Sequence, residues 1–279
     1  MGRKKKILVG IVIFMILMVI ILYSSLVSSK TIKSLLHVDS GDVEVNGKKV
    51  TKDITLNEGD LIETLGNGVA TLILYESVII NVDPNTKITL DELSKKYPKI
   101  SQEGGETWNK FTKMLGVVSY DNQIGNSIAS VRATFFGFKE DKIIVGEGKV
   151  VFSFNDATYN VDEFNVIENV DGRIIQRKAT KQELYEIKIR MEKSIESLKY
   201  LRSLEIDKKT LLVSVIKSTQ GLTDEDIQRN LGDVDNELLD IDELAEKSPI
   251  KIESIEKIVA ITKSIQQMKE SIKKIDSQL

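Results

Sequence analysis

Hydrophobic and polar positions change rhythm three times along the chain. Residues 7–27, ILVGIVIFMILMVIILYSSLV, carry no charge, and a helix of that length reaches about 30 Å, the thickness of a bilayer's hydrocarbon. After a polar linker (28–38), residues 39–178 fall into short β-rich runs separated by turn residues, which predicts an all-β sandwich or roll. From residue 180 the apolar period lengthens to about 3.6, as in helices packed by one face. The expected fold class is therefore multidomain α and β: a single N-terminal transmembrane helix, an all-β sandwich or roll-like domain, and a C-terminal α-helical bundle or coiled-coil region.

The apolar run is longer than the core of a cleaved secretory signal, and Ser25-Leu26-Val27-Ser28-Ser29 has no Ala-x-Ala site, so it reads as an uncleaved signal-anchor. Arg3, Lys4, Lys5 and Lys6 precede it. Basic residues beside a first span stay in the cytoplasm. The expected localisation is thus the cell membrane, single-pass, with residues 1–6 as a cytoplasmic tail, 7–27 as the anchor and the bulk extracytoplasmic. His37 reads as a juxtamembrane linker residue.

In the β region, Val43, Val45 and Val50 alternate around Asn46-Gly47, the strongest short hairpin signal. Gly66-Asn67-Gly68, Asp83-Pro84-Asn85 and Gly146-Glu147-Gly148 mark further turns, the last expected to return one strand onto another. In the helical region (180–279), Thr180-Lys181-Gln182-Glu183 is a capping box ahead of Leu184, Ile187, Met191, Ile195, Leu198 and Leu201, which predicts a helix of about 24 residues. Asp207 is expected to cap a shorter helix through Ser218, and Thr223 with Asp226 to open another that ends near Gly232. Ile258, Ile261, Ile265, Met268, Ile272, Ile275 and Leu279 form a seam at spacings of three and four. Its expected partner is the Leu184–Leu201 face of the same chain; self-association through residues 250–279 is the alternative.

Charge narrows the partners. Four of the 39 basic residues precede the apolar run, leaving 35 against 42 acidic ones, a net charge of about −7. That balance excludes nucleic acid, whose binding needs clustered Lys and Arg. The chain has no cysteine and one histidine, so neither thiol chemistry nor a zinc site is expected. No cofactor is expected either. Catalytic motifs such as Gly-x-Ser-x-Gly, a Walker loop or His-Glu-x-x-His are missing.

The order of turn motifs resembles the FecR-like extracytoplasmic domain over about residues 40–152. The resemblance rests on Gly41-Asp42-Val43-Glu44-Val45 and on Leu56, Gly59, Asp60, Ile62 and Thr64 with Gly68 and Ala70. It continues through Val131, Arg132, Thr134 and Phe136, then Val145, Glu147, Gly148 and Val150, with Trp108 where the family often has one. Ala133 stands where the family has glycine, which implies a relaxed local backbone, and Glu76-Ser77 replaces an Asp-Gly-Ser turn. The family belongs to transmembrane signalling proteins that act on a cytoplasmic sigma factor; a six-residue tail leaves no domain for such contact. Asp60, Arg132, Thr134, Glu147 and Trp108 are the candidate structural or ligand positions. A salt bridge or turn cap is the first expectation for the charged ones, and a core position for Trp108.

Together these readings imply a non-enzymatic binding or regulatory module of the cell envelope, with a protein or envelope glycan as partner. The alternative is a scaffold or adaptor subunit assembling through its C-terminal helices. A third reading, a cell-wall hydrolase, requires an acidic cleft.

Overall fold

The computed structural model describes residues 31–279 except 113, 115, 132, 140, 141, 156, 171, 209–216, 218–220, 222 and 248–252. One sheet has eight strands in the order β1 (Ser34–Ser40), β5 (Val69–Leu74), β6 (Val78–Val82), β9 (Glu106–Phe111), β12 (Phe135–Lys139), β13 (Lys142–Glu147), β16 (Asn165–Val170) and β17 (Arg173–Lys178). The other has nine: β15 (Ala157–Asp162), β14 (Lys149–Phe154), β11 (Ser127–Val131), β10 (Tyr120–Ile124), β8 (Lys99–Gly104), β7 (Thr86–Glu92), β4 (Leu61–Thr64), β2 (Val43–Val45) and β3 (Lys48–Val50). The chain deals its strands to the two sheets in turn, mostly as hairpin pairs. Because β9 leaves for the first sheet between them, β8 and β10 meet in parallel, while the other neighbours are antiparallel.

Alternation builds two cores. Along β5, β6, β12 and β13, Leu72, Leu74, Val78, Ile80, Phe136, Phe138, Ile143 and Val145 point between the sheets and meet Val43, Ile62, Ile88, Ile100, Ala129 and Phe152 of the nine-stranded sheet. Their sequence neighbours Ile73, Ile79, Phe135 and Ile144 point the opposite way and are also buried. They lie under α1 (Lys181–Asp207) and α4 (Glu253–Asp276), whose Leu184, Ile187, Met191, Ile195, Leu198, Ile261, Ile265, Met268 and Ile275 complete the second core. Gly146 permits this approach, since a Cβ there would come within 2.7 Å of Ile187.

The two helices run antiparallel. Lys188 Nζ lies 2.6 Å from Asp276 Oδ1, and Lys181 Nζ donates to the Leu279 carbonyl at 2.6 Å. Ile261, Ile265, Met268 and Ile275 of the isoleucine seam are thus covered inside the chain, while Leu279 is exposed. The Thr180 box forms as expected: Glu183 N donates to Thr180 Oγ1 and Thr180 N to Glu183 Oε2.

The chain divides into two compact units. Thr31–Leu201 and Ala260–Leu279 form the β-sandwich with its helical cover; the described residues of Arg202–Val259 belong to the other. In the latter, Arg202 binds Asp235 through two bonds of 2.6 and 2.8 Å, both side chains being buried. Thr223 and Asp226 make the expected capping box of α2 (Asp224–Asp235), which runs past Gly232 to a cap at Asn236. The short α3 (Ile241–Lys247) follows. The helix expected from Asp207 falls almost wholly outside the described residues.

Four corrections to the expected fold follow. No helix among the described residues is long and apolar enough to cross a membrane, so the transmembrane element of the expected class is not part of the described fold; residues 7–27 lie outside the description. The sheet's apolar outer face needs a cover, so residues 181–201 and 260–279 fold with the strands rather than as a separate helical bundle. His37 lies in edge strand β1 rather than in a linker. Finally, Gly146-Glu147-Gly148 does not close a hairpin: β13 and β14 belong to different sheets, and the chain crosses at Gly148.

Candidate ligand groove

Most of the candidates from sequence serve the fold itself. Asp60 accepts from Asn57 N at 2.7 Å and from Asn46 Nδ2 at 2.8 Å, so it caps a turn and ties it to the β2–β3 hairpin. Glu147 takes both its bonds, 2.9 and 2.8 Å, from the buried ammonium of Lys110. A buried cation is costly without a counter-charge at hydrogen-bond distance, and Glu147 supplies one. Thr134 is buried at the crossing from β11 to β12, its carbonyl taking Phe111 N at 2.8 Å while its hydroxyl has no partner among the described residues. Arg132 lies outside the described residues.

The two halves of the later motif meet at one corner. Ala133, where β11 hands over to β12, has φ +54°, and Gly148, where β13 hands over to β14, has φ +77°. A Cβ on Gly148 would stand 2.8 Å from the Ala133 carbonyl oxygen. Ala133 therefore keeps the left-handed backbone that a glycine would supply, instead of relaxing as expected. Tyr75 and Glu76 also turn with positive φ, 49° and 56°, in the β5–β6 hairpin; Glu76 Oε1 holds Ile32 N at 2.7 Å.

Trp108 leads to the one candidate site that is open. Its ring is buried on the outer face of the eight-stranded sheet, 5.4 Å from the ring of Phe135, with the Arg190 guanidinium 5.8 Å from its centroid. Nε1 donates to Glu106 Oε1 at 2.6 Å. Register places Gly137 beside Trp108, and a Cβ on Gly137 would come within 2.8 Å of the indole. A glycine in a strand interior marks such a close approach. The missing side chain leaves a groove of about 390 Å³ with Trp108, Gly137 and Ile144 in its lining.

A rung of charge borders it. Glu106, Lys139, Lys142 and Glu168 are successive partners across β9, β12, β13 and β16. Most of these charges are engaged: Lys142 with Glu183 at 2.5 Å, Glu168 with Arg177 at 3.0 Å, and Glu106 with Lys139 at 3.9 Å and Arg190 at 3.5 Å. Glu186, one turn into α1, differs. It lines the groove with no hydrogen-bond or ion-pair partner among the described residues. Burial, then the nearby Glu106, push its carboxyl above the usual range. Asn169 also contributes to the lining; its Oδ1 is buried with no partner among the described residues. Glu183, by contrast, is held well below the carboxylate range by Arg177, with Lys142 and Thr180 adding to it against burial.

Arg190 anchors the helix beside the groove. It forms a two-pronged pair with Asp83, 2.7 and 2.6 Å. Further along α1, Ser194 donates to Asn81 at 2.6 Å and Asn81 to Ser197 at 2.8 Å. At the far end His37 bonds Asp53 at 2.7 Å and packs 4.4 Å from the ring of Tyr200, which donates to the same carboxylate. These contacts fix α1 on the sheet and with it the position of Glu186. Sequence reasoning missed Gly137 and Glu186. A glycine inside the apolar Phe135-Phe136-Gly137-Phe138 run was the available signal for the first; nothing in the helical period singles out the second.

No family model matches the chain, the FecR-like family included, and no curated protein matches it. Two crystal structures of a putative anti-sigma factor from Parabacteroides distasonis ATCC 8503, at 1.65 and 2.50 Å resolution, overlay on it with a TM-score of 0.40 and 16% identity. The overlay covers 45% of this chain and 63% of those chains. A likeness this partial says nothing of what the chain does.

Proposed function

We propose that this chain is a non-enzymatic binding and regulatory module of the cell envelope, working outside the cytoplasm through the groove over Gly137. The observation that carries it is Glu186, a carboxylate with no hydrogen-bond or ion-pair partner among the described residues, in the lining of a cavity whose other charged residues are engaged. Such an acceptor beside open volume suits a partner that brings hydrogen-bond donors, such as a lysine, arginine or hydroxyl group. The location rests on the basic cluster and uncharged run of residues 3–27.

The scaffold reading loses its main support once Ile261, Ile265, Met268 and Ile275 are covered within the chain. The hydrolase reading has carboxylates at the groove, but Glu106 is tied to Trp108 and Arg190, an arrangement that holds it in place rather than freeing it as a base.

A photo-crosslinking side chain placed at Lys139 in the full chain, in living cells, tests the proposal. A discrete adduct is expected, and Glu186→Lys should deplete it. Adducts from the exposed helix position Tyr185 and none from Lys139 would overturn the groove in favour of assembly through the helices. External protease that leaves the chain intact in whole cells, yet cleaves it after lysis, would overturn the location.

A further inference from the structure

The second cavity lies on the opposite side of the sandwich, on the outer face of the nine-stranded sheet, over which α1 and α4 do not lie. It measures about 540 Å³, and the described residues lining it are uncharged: Gln123, Asn126, Ile128, Ser153, Phe154 and Thr158, with Gly125 and Asn155 at the hairpin tips. In a chain of 29% charged residues, a lining of amides and hydroxyls with the outward Ile128 is a distinct chemistry.

Strand register extends it. Thr89, Ser101, Gln123, Ile128, Ser153 and Thr158 are successive partners across β7, β8, β10, β11, β14 and β15. Their sequence neighbours Ile88, Gln102, Asn122, Ala129 and Phe152 are buried between the sheets, so this rung faces outward. With strands about 4.8 Å apart, its six residues form a neutral stripe about 24 Å long. Beside the stripe, Lys87 pairs with Glu103 at 2.7 Å and Lys99 with Asp91 at 4.0 Å, while Asp121 carries the remaining charge on that face. Capacity for new bonds remains along the stripe. Gln123 Nε2 spends one hydrogen on the Gly125 carbonyl at 3.0 Å, and the Ser153 and Thr158 hydroxyls are 3.4 Å apart, which leaves the Gln123 carbonyl and further lone pairs free.

We propose that this stripe binds a neutral glycan chain laid across the strands, with its terminal unit in the cavity against Ile128. Amides and hydroxyls offer the paired donors and acceptors that sugar hydroxyls need, and the Ile128 side chain meets the C–H face of a ring. Spacing favours a polymer over a single sugar, because the strand repeat is close to the length of one unit of an extended chain. The six uncharged residues of the stripe select against polyanions and basic peptides, whose binding depends on opposite charge. The site is separate from the groove over Gly137, and either could operate without the other.

Calorimetric titration of the full chain with cellohexaose and chitohexaose, both neutral, and with a heparin hexasaccharide as the anionic probe, tests this. At least one neutral hexasaccharide should bind, with an affinity that changes less than about twofold between roughly 0.05 and 0.5 M salt, since no ion pair is involved. Ser153→Lys should weaken it by about tenfold or more, the loss of a hydrogen bond plus an intruding charge, while Glu44→Lys, on β2 near the opposite edge of the same sheet, should leave it unchanged. Gln123→Ala provides a second variant that adds no charge and should also weaken binding. Failure of both neutral probes to bind, equal loss in Glu44→Lys, or preference for the heparin probe would each overturn the proposal.

Discussion

The two sheets have outer faces of opposite character, and their strands differ accordingly. In the eight-stranded sheet, Val69–Leu74 and Val78–Val82 are buried at nearly every position, because one face meets the sandwich core and the other meets α1 and α4. In the nine-stranded sheet, Leu61–Thr64, Thr86–Glu92 and Ser127–Val131 alternate buried with half-buried or exposed residues. Continuous apolar runs are the signature of strands covered on both sides, and clean alternation that of strands with one wet side. The difference tells which sheet carries a third layer. It also separates two kinds of site: a groove where that layer stops short over Gly137, and an open stripe where there is no such layer.

Removing the third layer should produce the largest effect. A chain ending at residue 180 loses the helices over Ile73, Ile79, Trp108, Phe135, Ile144 and Val166. It should fail to fold cooperatively, with strong binding of a hydrophobic dye and aggregation at micromolar concentration. A cooperative urea transition for residues 31–180 would break the comparison, since the strands would then form an independent domain.

Single truncations sharpen it. Ile187→Ala, inside the covered core, should cost about 2–5 kcal/mol by urea denaturation. Ile128→Ala, a like truncation on the open stripe, should cost less, about 1 kcal/mol, because that residue is only partly buried and lies outside both cores. Equal costs would mean that the open face is covered in solution.

Electrostatics distinguishes the covered side as well. Glu183 is the point where β13, β17 and α1 are joined, through Lys142, Arg177 and the Thr180 cap. Its folded carboxyl lies below the unfolded reference of 4.5, so folding favours the ionised form. The associated stability is present above that reference and drains away as pH falls below it. Glu183→Gln should cost about 2 kcal/mol at neutral pH, the worth of a charge-assisted bond, and the gap between variant and parent should narrow as pH drops from about 5 toward 3. A gap independent of pH would assign the loss to packing.

Much of this organisation was legible before any coordinates. The switch from period two to period 3.6, the Thr180 and Thr223 capping boxes and the Asn46-Gly47 hairpin each follow from local chemistry, which the surrounding fold did not override. What local reasoning missed were pairings. The apolar runs VATLIL and SVIINV and the stripe of Leu184, Ile187 and Met191 were each visible, yet joining them requires knowing that neither can stay bare. His37 looked like linker because β1 is an edge strand whose partner, β5, begins about thirty residues later. The groove was hidden for a similar reason: Gly137 and Glu186 acquire meaning through Trp108, which lies on another strand.

The smallest expected effect lies where the chain passes from the open sheet to the covered one. Ala133 holds φ +54° at that crossing, packed by its carbonyl against Gly148. An L-residue with a Cβ pays roughly 1 kcal/mol for this conformation, whereas glycine adopts it freely but loses more entropy on folding. The two terms oppose each other, and the strain is the larger by a small margin. Ala133→Gly should therefore stabilise the protein by up to about 0.5 kcal/mol, measured as a rise in urea midpoint at unchanged slope. A loss of about 1 kcal/mol would instead mean that the alanine methyl contributes packing at the corner. The crossing would then be held by side-chain contact in addition to backbone conformation, and the glycine expected there from the family resemblance would not be interchangeable with the alanine this chain uses.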